Sequence, residues 1–426
     1  MEYLKFSSKG TDVELIQLAL SRAGYYPGNI DGIFGKKTKS ALESFQRENA
    51  LTSDGIVGVL TFSRLRPYLV GYVTHSVTRN DTFFALSQKY ATNIEAIRVA
   101  NPNVSTNSLG LGEKIIVPLG FTVVPTNVHY TYKLTTLIVE GLAARYPFLR
   151  TGSLGQSAMG NELFYLKLGA GTKSVFYNAS HHANEWITTP LVLRFAEELC
   201  MSYAFSTRLC YNTFAVDILN SSKLFIAPLV NPDGIDLVNG AIPELNMYYD
   251  RAKKIAEAYP EISFPSGWKS NIEGTDLNLN YPAEWDKAKH IKYELGFTSP
   301  APRDFVGKSP LSAPESRAVY KFTITHDFEL TISYHTQGEE IYWQFLNYAV
   351  DGAYETAKRF SEVSGYSLSC VAYNSSFAGY KDWFIEKYRK RGFTIEAGHG
   401  TNPLPISDFP DIYSENVKIM CEGLKL

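Results

Sequence analysis

Two rhythms of apolar positions run along this chain. Near its start, Val13, Ile16, Leu18 and Leu20, and then Ala41, Leu42 and Phe45, fall at helical spacings, as short amphipathic helices require. Two similar turns punctuate them: Asp31-Gly32-Ile33-Phe34-Gly35 followed by Thr38, and Asp54-Gly55-Ile56-Val57-Gly58 followed by Thr61. Asp-Gly tolerates the positive φ of a tight turn, and each Thr is placed to start a helix. Residues 72–118 predict a short strand, two short helices and a closing strand. Asp81 stands where it would cap the first of these helices, and Asn101-Pro102 marks a break before the last strand. Residues 120–127, with Pro125 and few periodic positions, read as a short linker.

The rhythm then changes. An opening helix is suggested by Leu134, Leu137, Ile138 and Leu142, after which short apolar or β-branched runs at 174–177, 224–227, 330–333 and 392–395 alternate with helical patterns. That alternation predicts an α/β domain, a mixed sheet flanked by helices. The expected organisation is a small helical domain over 1–69, a small βααβ domain over 70–120 and one large domain over 128–426.

Composition narrows this picture only a little. A net charge of -2 on 426 residues supplies no electrostatic argument for nucleic acid or an anionic membrane surface, and neither is expected as a partner. Cys200, Cys210, Cys370 and Cys421 form no CxxC pair, so a thiolate-built metal site is not expected. Cys200 and Cys210 could bridge, but free thiols are the simpler reading. The start, Met1-Glu2-Tyr3-Leu4-Lys5, has no apolar stretch, so neither a secretory signal nor a membrane span is expected in the chain as given.

In open α/β sheets, ligands bind beyond the carboxyl ends of the strands, so the residues that follow each run are informative. After the first comes His181-His182-Ala183-Asn184-Glu185-Trp186; after the third, His335; after the fourth, Glu396. His182 and Glu185, spaced i and i+3, can converge from one turn. Two imidazoles and a carboxylate leave zinc an open position for water, and a further carboxylate that is not a ligand can take that water's proton. His181 lacks the HxxE spacing and reads as a bystander; His399 reads as a rim residue.

At these positions the large domain resembles the zinc carboxypeptidase family. His182-Ala183-Asn184-Glu185-Trp186-Ile187, Asn231-Pro232-Asp233-Gly234, Ser333-Tyr334-His335 and Phe393-Thr394-Ile395-Glu396 appear in the family's order. The resemblance implies one Zn2+ per chain on His182, Glu185 and His335, Glu396 as general base, and Asp276 orienting His182. The first segment is similar to helical peptidoglycan-binding domains, through Gly10-Thr11-Asp12-Val13, Gly24-Tyr25, the two Asp-Gly turns and Phe45-Gln46. Residues from Tyr72-Val73 through Asp81-Thr82 and Asn101-Pro102 to Ile115-Ile116-Val117-Pro118 resemble a LysM module. These two modules imply peptidoglycan, glycan strand and stem peptide together, as the partner.

Departures from the family pattern sharpen the expectation. Its carboxylate-binding Asn-Arg pair reads Asn278-Leu279 here, and Asn161 stands where another arginine is usual. Lys269 takes the place, or nearly so, of the carbonyl-polarising cation. Lys381 matches the specificity position of the pocket for the residue after the cut, and Tyr373 the tyrosine that closes on substrate. Together these resemble the γ-D-glutamyl-diamino acid endopeptidase branch, which cuts between D-glutamate and meso-diaminopimelate. The implied place of action is a bacterial cell wall or spore, by an export route the sequence does not give. The rival readings are a carboxypeptidase of relaxed specificity, an inactive wall-binding protein and a glycan-cleaving enzyme.

Overall fold

The computed structural model describes residues 3–105, 109–209 and 213–425. The chain divides into two compact units: residues 1–129 with 133–150, and residues 130–132 with 151–426.

In the first unit, helices Thr11–Arg22, Lys36–Glu48 and Val59–Leu65 surround buried Leu15, Leu42, Phe45 and Leu65. The paired turns have a common cause. Buried Gln17 donates to Asp31 Oδ1 (2.9 Å), Ile33 O (3.1 Å) and Thr38 Oγ1 (3.2 Å), and Gln46 does the same to Asp54 Oδ1 (2.9 Å), Ile56 O (3.0 Å) and Thr61 Oγ1 (3.2 Å). Each glutamine thus ties one turn to the helix that follows it from a buried position. Thr38 and Thr61 therefore lie inside helices capped by Gly35 and Gly58, not at their starts, because their hydroxyls serve the glutamines.

The next segment is the expected βααβ module. Strands β1 (Tyr72–Ser76) and β2 (Lys114–Pro118) pair antiparallel, and helices Phe83–Lys89 and Ile94–Ala100 close over Phe83, Leu86, Ile97, Ile115 and Val117. Thr82, not Asp81, caps the first helix, accepting from Ala85 N at 3.0 Å. Asp81 is drawn away by buried His75, whose Nε2 lies 2.8 Å from it. Asn101 has a larger role than a break: its Nδ2 donates to Ile97 O and Ile116 O while its Oδ1 accepts from Ile116 N. The segment read as a linker is packed, with Val123 and Val124 buried.

The second unit is built on an eight-stranded mixed sheet. Its strands are β3 (Arg150–Gln156), β4 (Glu162–Leu168), β5 (Lys173–Ala179), β6 (Ser222–Ala227), β7 (Leu330–His335), β8 (Glu340–Tyr342), β9 (Ser367–Ser369) and β10 (Arg391–Glu396). Their order is β9-β8-β10-β7-β5-β6-β4-β3. The four runs expected as strands are the four central ones, β10, β7, β5 and β6, all mutually parallel. All six residues of β7 are buried, as a parallel sheet covered on both faces demands. On one face Phe176 and Phe225 pack against Phe322 of helix Pro314–Ile324 and against Phe328. On the other, Tyr177 donates to Met420 O at 2.7 Å from helix Phe409–Lys425. A Cβ at Gly423 would lie 2.4 Å from that hydroxyl, so this helix turn needs glycine to approach the sheet.

Cys200 and Cys370 are free thiols, whereas Cys421 is disulfide-bonded, against the expectation of free cysteines. Cys210 lies outside the described residues. Among the described residues no helix is long and apolar enough to cross a membrane.

Candidate metal centre

Parallel pairing brings the candidate residues to one edge of the sheet. Glu396, last in β10, is the register partner of His335, last in β7. Tyr334 pairs with Ala179, last in β5, three residues before His182. Between them the chain turns sharply at Ser180, which adopts a φ of 58°. That left-handed conformation is costly for a residue with a Cβ. The hydroxyls of Thr188 and Thr189 hold it, both 2.8 Å from Ser180 Oγ. The turn Ala183–Glu185 then presents His182 and Glu185 together.

Asn231 locks this turn from behind. Its Nδ2 donates to His181 O (3.1 Å) and Ser270 O (3.0 Å), and Ala183 N donates to Lys269 O at 3.0 Å. Gly234 belongs to the same lock: a Cβ there would lie 2.6 Å from Asn231 Oδ1 and 2.8 Å from Ala183 Cβ.

Three side chains converge in front of the turn. His182 Nδ1 lies 2.8 Å from Glu185 Oε1 and 3.0 Å from His335 Nδ1, which is itself 2.9 Å from Glu185 Oε2. All three side chains are buried. Two imidazole lone pairs and a carboxylate approach this closely only with a proton or a cation among them, so the donor set fits a metal ion. His182 Nε2 lies 3.1 Å from Asp276 Oδ1, which fixes the tautomer that turns Nδ1 toward the cluster. Burial opposes charge on His182, but Glu185 and Asp276 outweigh it and raise its pKa. Burial lowers that of His335. Asp276 stays ionised: burial works against it, but His182 and Lys269 hold it well below the usual carboxylate range.

Glu396 stands beside this cluster, partly open to solvent. Burial, then the Glu185 carboxylate, push its pKa up to about 8, with Lys269 and His182 pulling the other way. Lys269 Nζ lies 3.5 Å from Glu185 Oε1. Burial disfavours its charge, but Glu185 and Asp276 more than compensate and raise its pKa.

A cleft of 590 Å³ opens over the centre, and His182, Lys269, Asp276, Asn278, Lys381 and Glu396 all line it. Glu185 and His335 are not among its lining residues but contact His182, which is. Leu279 also lines the cleft, an apolar wall where the family resemblance would have an arginine. Asn278 Oδ1 accepts from Tyr380 N at 3.0 Å. Lys381 Nζ is already engaged, by Gln344 O at 2.8 Å and Asp382 Oδ1 at 2.5 Å. Tyr373 is not among the lining residues: it is 68% exposed and packs edge-on against Phe377. His181 is buried 3.0 Å from Tyr281 Oη, and His399 is exposed.

The sequence reading missed several charged residues in this cleft, among them Lys292, Arg303 and Asp304. No motif flags them: Lys292 sits on helix Trp285–Glu294, and the loop of Arg303 and Asp304 joins the site only through tertiary hydrogen bonds.

A buried His-Glu-His group with an adjacent carboxylate, set above parallel strand ends, is the layout of a metal-dependent hydrolase. Comparison with known proteins makes the class specific. A zinc carboxypeptidase family model matches residues 136–419, and models of a putative peptidoglycan-binding domain and a LysM domain match 9–65 and 75–118. The chain belongs to the zinc carboxypeptidase family. It is 38% identical over 298 residues, 70% of this chain and 73% of the relative, to gamma-D-glutamyl-L-diamino acid endopeptidase 1 of Lysinibacillus sphaericus. It is also 38% identical over 286 residues, 66% of this chain and 73% of the relative, to the uncharacterized protein YqgT of Bacillus subtilis strain 168. The fold matches bovine thrombin-activatable fibrinolysis inhibitor with a TM-score of 0.53 at 20% identity, over 70% of this chain and 96% of that one. The protein is thus a zinc peptidase carrying two modules of peptidoglycan-binding type, an organisation that points to the cell wall.

Proposed function

We propose that this chain hydrolyses peptidoglycan stem peptides at the γ-D-glutamyl–meso-diaminopimelate bond, with His182, Glu185 and His335 as zinc ligands and Glu396 as general base. The carrying observation is the convergence of His182 Nδ1, His335 Nδ1 and the Glu185 carboxylate beside Glu396 in a lined cleft. The relative named as a γ-D-glutamyl-L-diamino acid endopeptidase and the apolar Leu279 support this choice of bond.

Zinc, when bound, supplies Lewis acidity that acidifies water and polarises a carbonyl. Glu396 accepts the proton of the attacking water and returns it to the leaving amine. Burial and Glu185 raise its pKa to about 8, and a dication held by the cluster would oppose that shift. Lys269 offers an ammonium to the oxygen that gains charge during attack. Asp276 keeps His182 in its working tautomer. Asn278 and Lys381 meet the substrate half that leaves, and Tyr373, on its exposed turn, swings toward bound substrate.

In this reading the two N-terminal modules raise the local concentration of stem peptides by holding glycan strands, in cell-wall or spore peptidoglycan. Mass spectrometry of defined muropeptides, digested with and without a chelator, tests the proposal. It expects chelator-sensitive release of diaminopimelate-containing peptide from D-glutamate. Release of a C-terminal residue alone would replace it with an exopeptidase.

A further inference from the structure

Four cations line the cleft: Lys269, Lys292, Arg303 and Lys381. The ammonium of each lysine already has a protein partner. Lys269 sits against Glu185. Lys292, 5% exposed, is paired with Asp304 Oδ1 at 2.6 Å. Lys381 is held by Asp382 and Gln344. Arg303 differs: its Nε donates to Asp304 Oδ2 at 2.7 Å, its side chain is 46% exposed, and its terminal Nη groups donate no hydrogen bond among the described residues.

This guanidinium is aimed, not loose. Asp304 carries Lys292 on one oxygen and Arg303 on the other, and its own N–H donates to Asp276 Oδ2 at 3.2 Å. The loop is fastened to the site by four backbone bonds: Lys269 N and Ser270 N to Pro302 O (2.7 and 2.9 Å), Ala301 N to Gly274 O (3.0 Å) and Asp276 N to Phe305 O (2.8 Å). Arg303 feels the charges of Asp276 and Glu185 as well as Asp304, which places it on the metal side of the cleft, with Lys269. A fork anchored through Nε presents two parallel N–H groups, the geometry that a carboxylate accepts.

We propose that Arg303 is the receptor for the free α-carboxylate of a γ-linked glutamate on the acyl side of the cut. The proposal rests on the bond assignment above and deepens it. In a γ-linkage the α-carboxylate stands only three carbons from the scissile carbonyl, so its receptor must sit beside the metal centre. An α-linked residue without an acidic side chain has no carboxylate there. Arg303 thereby makes the site choose a γ-linked glutamate with a free α-carboxylate over its amidated form and over α-linked residues that lack an acidic side chain, a selectivity that Leu279 cannot supply. Asp304 is the positioning residue that holds the fork.

The test compares zinc-loaded, full-length wild type with Arg303→Gln and Arg303→Lys. Two substrates are used, L-Ala-γ-D-Glu-diaminopimelate and its α-carboxamide. Wild type should favour the carboxylate by roughly 10- to 100-fold in kcat/KM, as charged hydrogen bonds are worth. Arg303→Gln should bring the ratio near one, and Arg303→Lys should restore part of it. A wild-type ratio near one, or a loss shared equally by both substrates in Arg303→Gln, overturns the proposal. Equilibrium binding of L-Ala-D-Glu against its α-amide reads the same fork without turnover. If neither substrate is cut, the bond assignment fails. The dipeptide ratio then decides Arg303 on its own, and a wild-type value near one rejects it.

Discussion

Replacing Asp276 with Asn removes the charge behind His182, the first of the proposed metal ligands, and leaves the side chain's size unchanged. Asp276 Oδ1 lies 3.1 Å from His182 Nε2 and also accepts from Asn278 N at 3.2 Å, while Oδ2 accepts from Asp304 N at 3.2 Å. An amide can keep some of these acceptor contacts but not all, and it brings no negative charge to a buried imidazole. Two unit charges 3.1 Å apart interact by about 5 kcal/mol at an effective dielectric of 20. A metal-bound imidazole carries only a fraction of that charge, so about 1.4–2.7 kcal/mol is a fair share, or roughly 10- to 100-fold in zinc affinity. Competition with a chromophoric chelator at fixed pH measures it directly, with circular dichroism to confirm folding. A folded Asp276→Asn protein whose zinc Kd moves less than about threefold would refute the reasoning, because His182 would then need no carboxylate to serve as ligand.

Other outcomes follow from the same structure. Glu396→Gln should retain zinc yet lose roughly 10²- to 10⁴-fold in kcat, since the amide cannot take a proton; metal analysis beside muropeptide turnover checks both halves. At Glu315, burial and then Asp233 raise the carboxyl pKa from 4.5 to about 7, so the folded state holds this proton more tightly than the unfolded one. The stabilisation is full below about pH 4.5 and is lost as pH rises through 7, about 3 kcal/mol in all. Denaturant melts across that window should show a shallower slope for Glu315→Gln. Gln46→Ala removes the bonds to Asp54, Ile56, Thr61 and Gly55 and should lower the stability of the first unit by about 3 kcal/mol, read by its own melting transition. Gly234→Ala should destabilise the second unit by more than 1 kcal/mol, because its Cβ meets Asn231 and Ala183 below 3.0 Å.

Features set by short-range chemistry were legible before any coordinates. The runs at 174–177, 224–227, 330–333 and 392–395 declared themselves because strands buried on both faces are apolar throughout. They proved to be the four central parallel strands. His182, His335 and Glu396 were findable because ligands in such sheets gather past the carboxyl ends. Where local chemistry had competition, the reading slipped. Thr38 and Thr61 have the look of helix starts, but buried glutamines far along the chain claim their hydroxyls. Asp81 has the look of a cap, but His75 claims its carboxylate.

Residue type and order along the chain were enough for the four central strands, the two N-terminal modules and the zinc peptidase family. They could not show which charges face the cleft, because that depends on side chains meeting across long sequence separations. Arg303 became significant only when hydrogen bonds from Lys269, Ser270 and Asp276 drew its loop to the metal centre. Lys381 kept its place in the cleft, but Asp382 and Gln344 already engage its ammonium. A charge's availability is a property of its packed neighbours, and folding alone assigns those.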